Sequence, residues 1–197
     1  YNFPDKFRIT ENQITQFNKI LMDTNSARKF ERLEYIKDKF EAYPPFWYYL
    51  GNAASNIYRK HNKDEDSEEY SSYRLEAINA FKKYLGLTKH NILREDPLAA
   101  SCSLELFDLI DDIEEKTRLL DHACKYAGNS LDVLQICAMS YLEIGNIEKA
   151  CDIIRMLVNE GYNSSLNCRL LSKLYVDQYS RALSDDSKLE YKQKYDT

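Results

Sequence analysis

The chain has 197 residues, of which 44% are hydrophobic and 30% charged, and its formal net charge is −5. This length can bury a substantial apolar core in one domain or one extended array. The acidic balance, without a basic stripe, argues against a nonspecific nucleic-acid binder. The sequence has no run of about 18 apolar residues, so we predict no membrane span. Five Gly and four Pro are few for this length and favour long helices.

Cysteine usage bears on the compartment in which the protein works. The five cysteines are an odd number, form no C-x-x-C pair and all lie in apolar helical contexts. We interpret them as small buried thiols and predict a reducing compartment, with a cytoplasmic location. The sequence begins with Tyr1 rather than Met, which leaves open a fragment of a longer protein, a processed chain or a secreted form.

The first part of the chain has the apolar periodicity of helices. Apolar residues recur at helical spacing, and no segment alternates as a strand would. Two amphipathic helices are predicted first, joined near residues 23–26 and stopped by Pro44 and Pro45.

A polar stretch interrupts the next helix pair. The third helix is predicted from about Phe46 to His61, and residues 62–72 are interpreted as an exposed acidic insertion. The fourth helix starts within this stretch, at Ser67 or Tyr70. It is predicted to end at Gly86, which would supply a left-handed cap.

Three further helix pairs are predicted after a connector that ends at Asp96. They cover residues 97–110 and 113–127, 131–144 and 147–160, and 166–182 and about 185–195. Single glycines, Gly128, Gly145 and Gly161, mark helix ends or turns in this part of the chain. The prediction is an all-α chain of about ten helices in five antiparallel pairs.

A period of 34 residues runs through the second half. Tyr141 and Tyr175 are separated by this interval, and so are Ala138 and Ser172. Small residues would let the two helices of a pair approach closely, and we expect the larger tyrosines to fill the gaps between repeats. A fixed period of this length is typical of stacked helix pairs rather than of a closed bundle.

Two segments resemble the tetratricopeptide repeat family, whose pattern is W-x-x-L-G-x-x-Y followed by A-x-x-x-F and Pro. Trp47, Leu50 and Gly51 match the first part, and Ala77 and Phe81 match the second. This unit departs from the pattern because the third residue after Gly51, where Tyr is usual, is an alanine. The acidic insertion also lengthens the unit by about 14 residues.

A second unit, Leu131 to Tyr162, is similar through Tyr141, Gly145 and Ala150 but lacks the Trp and the terminal Pro. The resemblance implies one right-handed α-α superhelix over residues 1–197, with residues 44–86 and 97–182 as the clearest repeats.

The resemblance also implies a function and a binding surface. Members of the family recognise a peptide or protein on a concave face lined by the first helix of each pair, without a cofactor. Projected onto this sequence, that face consists of Tyr48, Asn52, Asn56, Ser101, Glu105, Gln135, Met139, Arg169, Lys173 and Asp177. The alternative for these residues is an ordinary solvated helix face.

Some members of the family grip a C-terminal carboxylate with Lys and Asn from one repeat. Here Tyr48 stands one turn before Asn52 where Lys would be needed, so we do not expect a chaperone co-factor. Arg169 and Lys173, four residues apart, could contact an acidic partner or form an exposed basic pair.

Residues for catalysis or metal binding are poorly grouped in the sequence. His61, His90 and His122 fall in three different elements without a ligand-pair spacing. No glycine-rich loop could cradle a phosphate, and the alternating acids of residues 64–68 lack the turn glycine of a calcium loop. The acids of residues 111–115 are interpreted as helix-capping groups. We therefore predict a non-enzymatic protein without metal or cofactor.

Two hypotheses for function follow. The first is an interaction scaffold that binds a peptide or protein, and not nucleic acid, through the concave face. The alternative is a regulatory or assembly region of a larger enzyme or of a secretion or signalling complex, whose catalytic part lies outside this sequence.

Overall fold

A computed structural model of the chain describes residues 8–61, 68–90, 96–177 and 180, and every regular element among them is a helix. The all-α prediction is confirmed. The chain divides into two compact units, Tyr1–Gly128 and Asn129–Thr197. That residues 1–197 form one repeat domain stays a prediction.

The first unit consists of consecutive helices with short connections. They are α1 (Glu11–Leu21), α2 (Ser26–Ile36) with a 3-10 turn (Lys37–Phe40), α3 (Pro44–His61), α4 (Glu68–Leu87), α5 (Pro97–Leu109) and α6 (Ile113–Tyr126). The pairs α3–α4 and α5–α6 have the most extensive interfaces, followed by α4–α5 and α2–α3. This confirms the predicted helix order in this unit.

The two prolines have a different position from the one predicted. Pro44 and Pro45 form the first turn of α3, and α2 has already ended at Ile36. Proline suits the first turn of a helix because the amide hydrogens there have no intrahelical acceptor. The prolines therefore begin the third helix, which starts two residues earlier than Phe46.

The acidic insertion is shorter than the predicted residues 62–72. Helix α4 begins at Glu68, so residues 68–72 belong to it, and the remainder of the insertion lies outside the described residues.

Gly86 does not form the predicted left-handed cap. It lies inside α4, whose last residue is Leu87, and the Thr88 backbone N–H still donates to the Tyr84 carbonyl at 3.0 Å. The Thr88 hydroxyl donates to the same carbonyl at 3.0 Å. Helical hydrogen bonding thus continues past residue 86, so α4 does not end there in a left-handed glycine. The left-handed glycine conformation occurs instead at Gly128, Gly145 and Gly161, with φ of 57°, 77° and 72°.

Side-chain caps explain where most of the helices begin. The Thr10 hydroxyl accepts from the Gln13 backbone N–H, and the Gln13 side chain accepts in turn from the Thr10 backbone N–H, which forms a capping box. Four other helices have an Asn or Asp cap that accepts from the amide three residues later: Asn25, Asp96, Asp112 and Asn146. The predicted capping role of the acids near residue 112 is confirmed for Asp112.

Aromatic side chains form the core of the first helices. The ring centroid of Phe17 on α1 lies 5.3 Å from that of Phe40 and 5.9 Å from that of Phe46, and both partners are fully buried. The Trp47 indole N–H donates to the Glu41 carbonyl at 2.9 Å, so its polar atom is satisfied in a nearly buried position. Such rings combine large apolar area with defined geometry.

The second unit contains α7 (Leu131–Glu143), α8 (Ile147–Asn159) and a helical segment over residues 164–177, which we call α9. Cys137, Ala138 and Tyr141 on α7 are buried, as are Ile154 and Leu157 on α8. The predicted helix 185–195 lies outside the described residues.

The two tyrosines of the 34-residue period do not have equivalent environments. Tyr141 is 1% exposed, whereas Tyr175 on α9 is 41% exposed. Arg155 on α8 donates from Nε to the Tyr175 hydroxyl at 2.6 Å, and its guanidinium lies 5.5 Å from the ring centroid. Tyr175 therefore contacts α8 without being buried as Tyr141 is. That it fills a gap between repeats stays a prediction, because the helix predicted to follow lies outside the described residues.

The cysteines are only partly buried, contrary to the prediction. Cys102, Cys137 and Cys151 are buried, Cys124 is half-buried and Cys168 is exposed. Cys168 on α9 has apolar neighbours in sequence, but they do not cover its side chain.

Candidate functional site

Helix α3 carries the first three residues of the predicted partner-binding face. Tyr48, Asn52 and Asn56 follow one another at intervals of four, so they lie on one side of the helix. Tyr48 and Asn52 are half-buried and Asn56 is exposed. The Asn56 side-chain Nδ2 donates to Asn52 Oδ1 at 2.9 Å. This bond uses one donor and one acceptor, so the two carboxamides retain further donors and acceptors.

Helix α5 contributes the neighbouring stripe. Ser101, Glu105 and Asp108 lie on successive turns, with Ser101 and Glu105 half-buried and Asp108 exposed. We call the surface formed by Tyr48, Asn52, Asn56, Ser101 and Glu105 the α3–α5 face.

An arginine joins the two stripes. Arg59 on α3 has its Nη2 at 2.9 Å from Glu105 Oε2 and at 2.9 Å from Asp108 Oδ2. Its side chain is 40% exposed, so each ion pair is partly screened by solvent. The pairs therefore fix the position of the Glu105 carboxylate more than they stabilise the fold.

Burial and charge set the ionisation of the tyrosine at one end of this face. Burial raises the pKa of Tyr48, and the negative charge of Glu105 raises it further. The phenol is therefore neutral at physiological pH and can both donate and accept a hydrogen bond. Its ring lies 6.2 Å from that of Phe81 and 6.3 Å from that of Tyr84, so the core fixes its orientation.

In the second unit, Gln135 and Met139 lie on successive turns of α7. Both line a cavity of about 590 Å³, together with Ile136, Ser140, Leu142 and Glu143. The amide O and N of Gln135 are buried without a hydrogen-bond partner in the described part of the chain. Met139 is 46% exposed. This gives α7 an apolar surface with an unsatisfied carboxamide beside it.

The remaining predicted face residues lie on α9. Arg169, Lys173 and Asp177 are exposed, and the structure describes no contact between them and the α7 residues Gln135 and Met139. The structure thus brings together the predicted members on α3 and α5, and separately those on α7.

Sequence reasoning missed Arg59 and Asp108. A signal was available, because Arg59 stands eleven residues after Tyr48, and this is three helical turns on the same side of α3. Asp108 likewise stands seven residues after Ser101 on α5. The predicted face did not extend to these two positions, so the ion pairs that join the helices were not anticipated.

Two searches of the described residues bear on other kinds of site. Within those residues, no helix combines the length and apolar character needed to cross a membrane. No group of three or more His, Cys, Asp and Glu residues within the same part of the chain has a metal-binding arrangement. Comparison with protein-family models, curated proteins and solved structures gives no match to this chain.

Proposed function

We propose that this chain is a tetratricopeptide-like scaffold, a right-handed superhelix of helix pairs without a catalytic site of its own. In this proposal it binds a peptide or protein partner through the α3–α5 face. Paired helices with short connections and the sequence match around Gly51 and Phe81 support the fold. The polar and aromatic composition of the face supports the function.

The observation that carries the proposal is the adjacency of two side-chain stripes from consecutive pairs. Tyr48, Asn52 and Asn56 on α3 lie beside Ser101 and Glu105 on α5, and the ion pairs of Arg59 with Glu105 and Asp108 join the two helices. Both stripes come from the first helix of a pair, which is where the family resemblance implies a binding face.

These residues have the chemistry to bind an extended peptide. A peptide backbone presents alternating N–H and C=O groups, and the carboxamides of Asn52 and Asn56 can pair with both kinds. Tyr48 offers a rigid, half-buried ring with a polar tip, which is the type of residue that often dominates binding energy in interfaces.

A peptide selection can test this proposal. A random peptide library would be panned against the full chain, and the affinity of enriched peptides would be measured by titration calorimetry. The double variant Asn52→Ala with Asn56→Ala removes one half-buried and one exposed carboxamide, and neither residue is part of the buried core. We expect the affinity to fall roughly tenfold, because about 0.5–1.5 kcal/mol is lost for each hydrogen bond.

Asn79 gives a matched control, since it is an exposed Asn on α4, the second helix of its pair. Asn79→Ala should leave peptide affinity unchanged. The proposal fails if the selected peptides bind the double variant as tightly as the wild type, or if Asn79→Ala weakens them equally.

A further inference from the structure

A basic cavity of about 620 Å³ lies between the end of α4 and the exposed side of α6. Its described lining residues are Leu85, Gly86, Lys89, Glu115, Arg118, Leu119, His122, Lys125 and Tyr126. All of them belong to the second helices of their pairs or to the turn after α4. The cavity is therefore separate from the α3–α5 face, whose residues come from first helices.

Positive charge dominates this cavity. Lys89, Arg118 and Lys125 are exposed, and none of the three forms an ion pair with a carboxylate among the described residues. Glu115 is the acid among the described lining residues, and Lys82 already pairs with it at 2.9 Å. Three cations thus surround the cavity, while the charge of Glu115 is balanced by Lys82, which is not among the described lining residues.

The cations have a defined spacing. Arg118, His122 and Lys125 stand at intervals of four and three on α6, so they lie on one side of the helix. Arg118 and Lys125 are separated by about 10 Å along the helix axis. Leu119 and Tyr126 are buried, and they give the cavity an apolar wall.

His122 is a half-buried histidine in the cavity wall. Its Nδ1 lies 2.9 Å from the hydroxyl of Ser103 on α5, and that hydroxyl donates to the Ala99 carbonyl at 2.9 Å. Because the single hydroxyl proton is used there, Nδ1 donates its proton to the Ser103 oxygen. Burial lowers the pKa of His122 from 6.5, so the imidazole adds little positive charge at neutral pH.

We propose that this basic cavity binds an acidic peptide segment, with two carboxylate side chains about 10 Å apart contacting Arg118 and Lys125. Residues three apart in a polyproline II chain lie on one side of it with this separation, at about 3.1 Å per residue. An apolar side chain between the two acids would lie on Leu119 and Tyr126.

A peptide fits this site better than a small free anion. The cations stand at the exposed rim, where each contact in water is weak, so one small anion would gain little. A chain that lies along α6 makes several such contacts at once and adds apolar burial. This inference concerns a surface separate from the α3–α5 face, so either proposal can fail alone.

A synthetic peptide of repeated Asp-Leu-Phe units provides the probe, and fluorescence anisotropy gives its affinity for the full chain at low ionic strength. We expect the double variant Arg118→Gln with Lys125→Gln to bind roughly fivefold to tenfold more weakly. The peptide with Asn in place of Asp should not bind. Added salt should weaken the complex, because exposed charges are screened.

Two controls distinguish a local site from general attraction. Lys19→Gln with Lys39→Gln removes the same net charge from exposed positions on other elements and should leave affinity unchanged. Inorganic phosphate should compete only at concentrations far above those of the peptide. The proposal would be overturned by equal weakening in both double variants or by no binding to the wild type. It would also be overturned if phosphate competed at concentrations similar to those of the peptide.

Discussion

Gly51 on α3 packs directly against the ring of Phe81 on α4, where a Cβ atom at residue 51 would lie 2.8 Å from the ring carbon Cδ1. Phe81 is fully buried, so its ring cannot move away without disturbing the core. The close approach of α3 and α4 therefore requires a residue without a side chain at position 51. This contact connects the two segments that carry the family resemblance.

Gly51→Ala should destabilise the first unit. The added methyl group overpacks the interface, which costs about 1–3 kcal/mol, and the better helix propensity of Ala offsets at most about 1 kcal/mol. We expect a lower urea midpoint without a change in slope. Phe81→Leu added to Gly51→Ala should recover part of the loss that Gly51→Ala causes, because the smaller side chain leaves room for the methyl group.

Gly86→Ala is the matched control for this effect. Gly86 is also helical, but no atom lies within 4 Å of the place where its Cβ would be. Alanine should therefore stabilise α4 by about 0.5–1 kcal/mol. If both substitutions changed the urea midpoint in the same direction, the contact with Phe81 would not be the cause.

The cap of α6 offers a comparison of two adjacent aspartates. Asp112 accepts from the Glu115 backbone N–H at 2.6 Å, whereas Asp111 pairs with Arg74 at 2.7 Å in a 90% exposed position. Asp112→Ala should lower the free energy of unfolding by about 1 kcal/mol. Asp112→Asn should lower it much less, because Asn also caps helices. Asp111→Ala makes the same charge change and should have a smaller effect in the same thermal or urea measurement.

Much of the fold could be predicted from the sequence, because helix ends depend on local chemistry. Pro97 at a first turn and the single glycines at residues 128, 145 and 161 marked boundaries that the structure confirms within a residue or two. Gly86 was misread because α4 continues to Leu87 and the Thr88 backbone N–H still donates to the Tyr84 carbonyl. A single glycine near a helix end does not by itself fix where the helix stops.

The candidate site was predictable only within each helix. The intervals between Tyr48, Asn52 and Asn56 follow from helical geometry, but their adjacency to Glu105 depends on how α3 packs beside α5. Tyr175 shows the same limit, because the 34-residue period gave it the same expected role as Tyr141. The spacing of residues shows which of them share one side of a helix, but tertiary packing decides whether that side is buried.

Asp23, in the connection between α1 and α2, should make the stability of the protein sensitive to acid. Its carboxylate accepts from Arg28 Nε at 2.6 Å and lies 3.2 Å from Arg32 Nη1. The Arg28 hydrogen bond, with the Asn25 backbone N–H, holds the pKa of Asp23 well below its ordinary value of 3.8. A lowered carboxyl pKa adds stability above pH 3.8, and this stability is lost as the pH falls further.

The Asp23→Asn variant should therefore be less stable than wild type at neutral pH, and the difference should narrow below pH 3.8. Urea unfolding at several pH values measures this. Asp38→Asn is a suitable control, since Asp38 is exposed and lies in the 3-10 turn. A constant difference between wild type and Asp23→Asn at all pH values would contradict the prediction.

His122 should make stability depend on pH near neutrality. Burial lowers its pKa from 6.5, nearby Lys125 lowers it further, and Asp96 at the start of α5 opposes the shift. The folded state therefore prefers the neutral imidazole, so stability is full above pH 6.5 and declines as the unfolded chain takes up a proton below it. His122→Gln, which can still donate to Ser103, should remove this decline. His90→Gln, at an exposed position in the turn after α4, should leave it intact. A decline of equal size in wild type and His122→Gln would show that another group titrates, because Gln cannot take up the proton that the unfolded histidine binds.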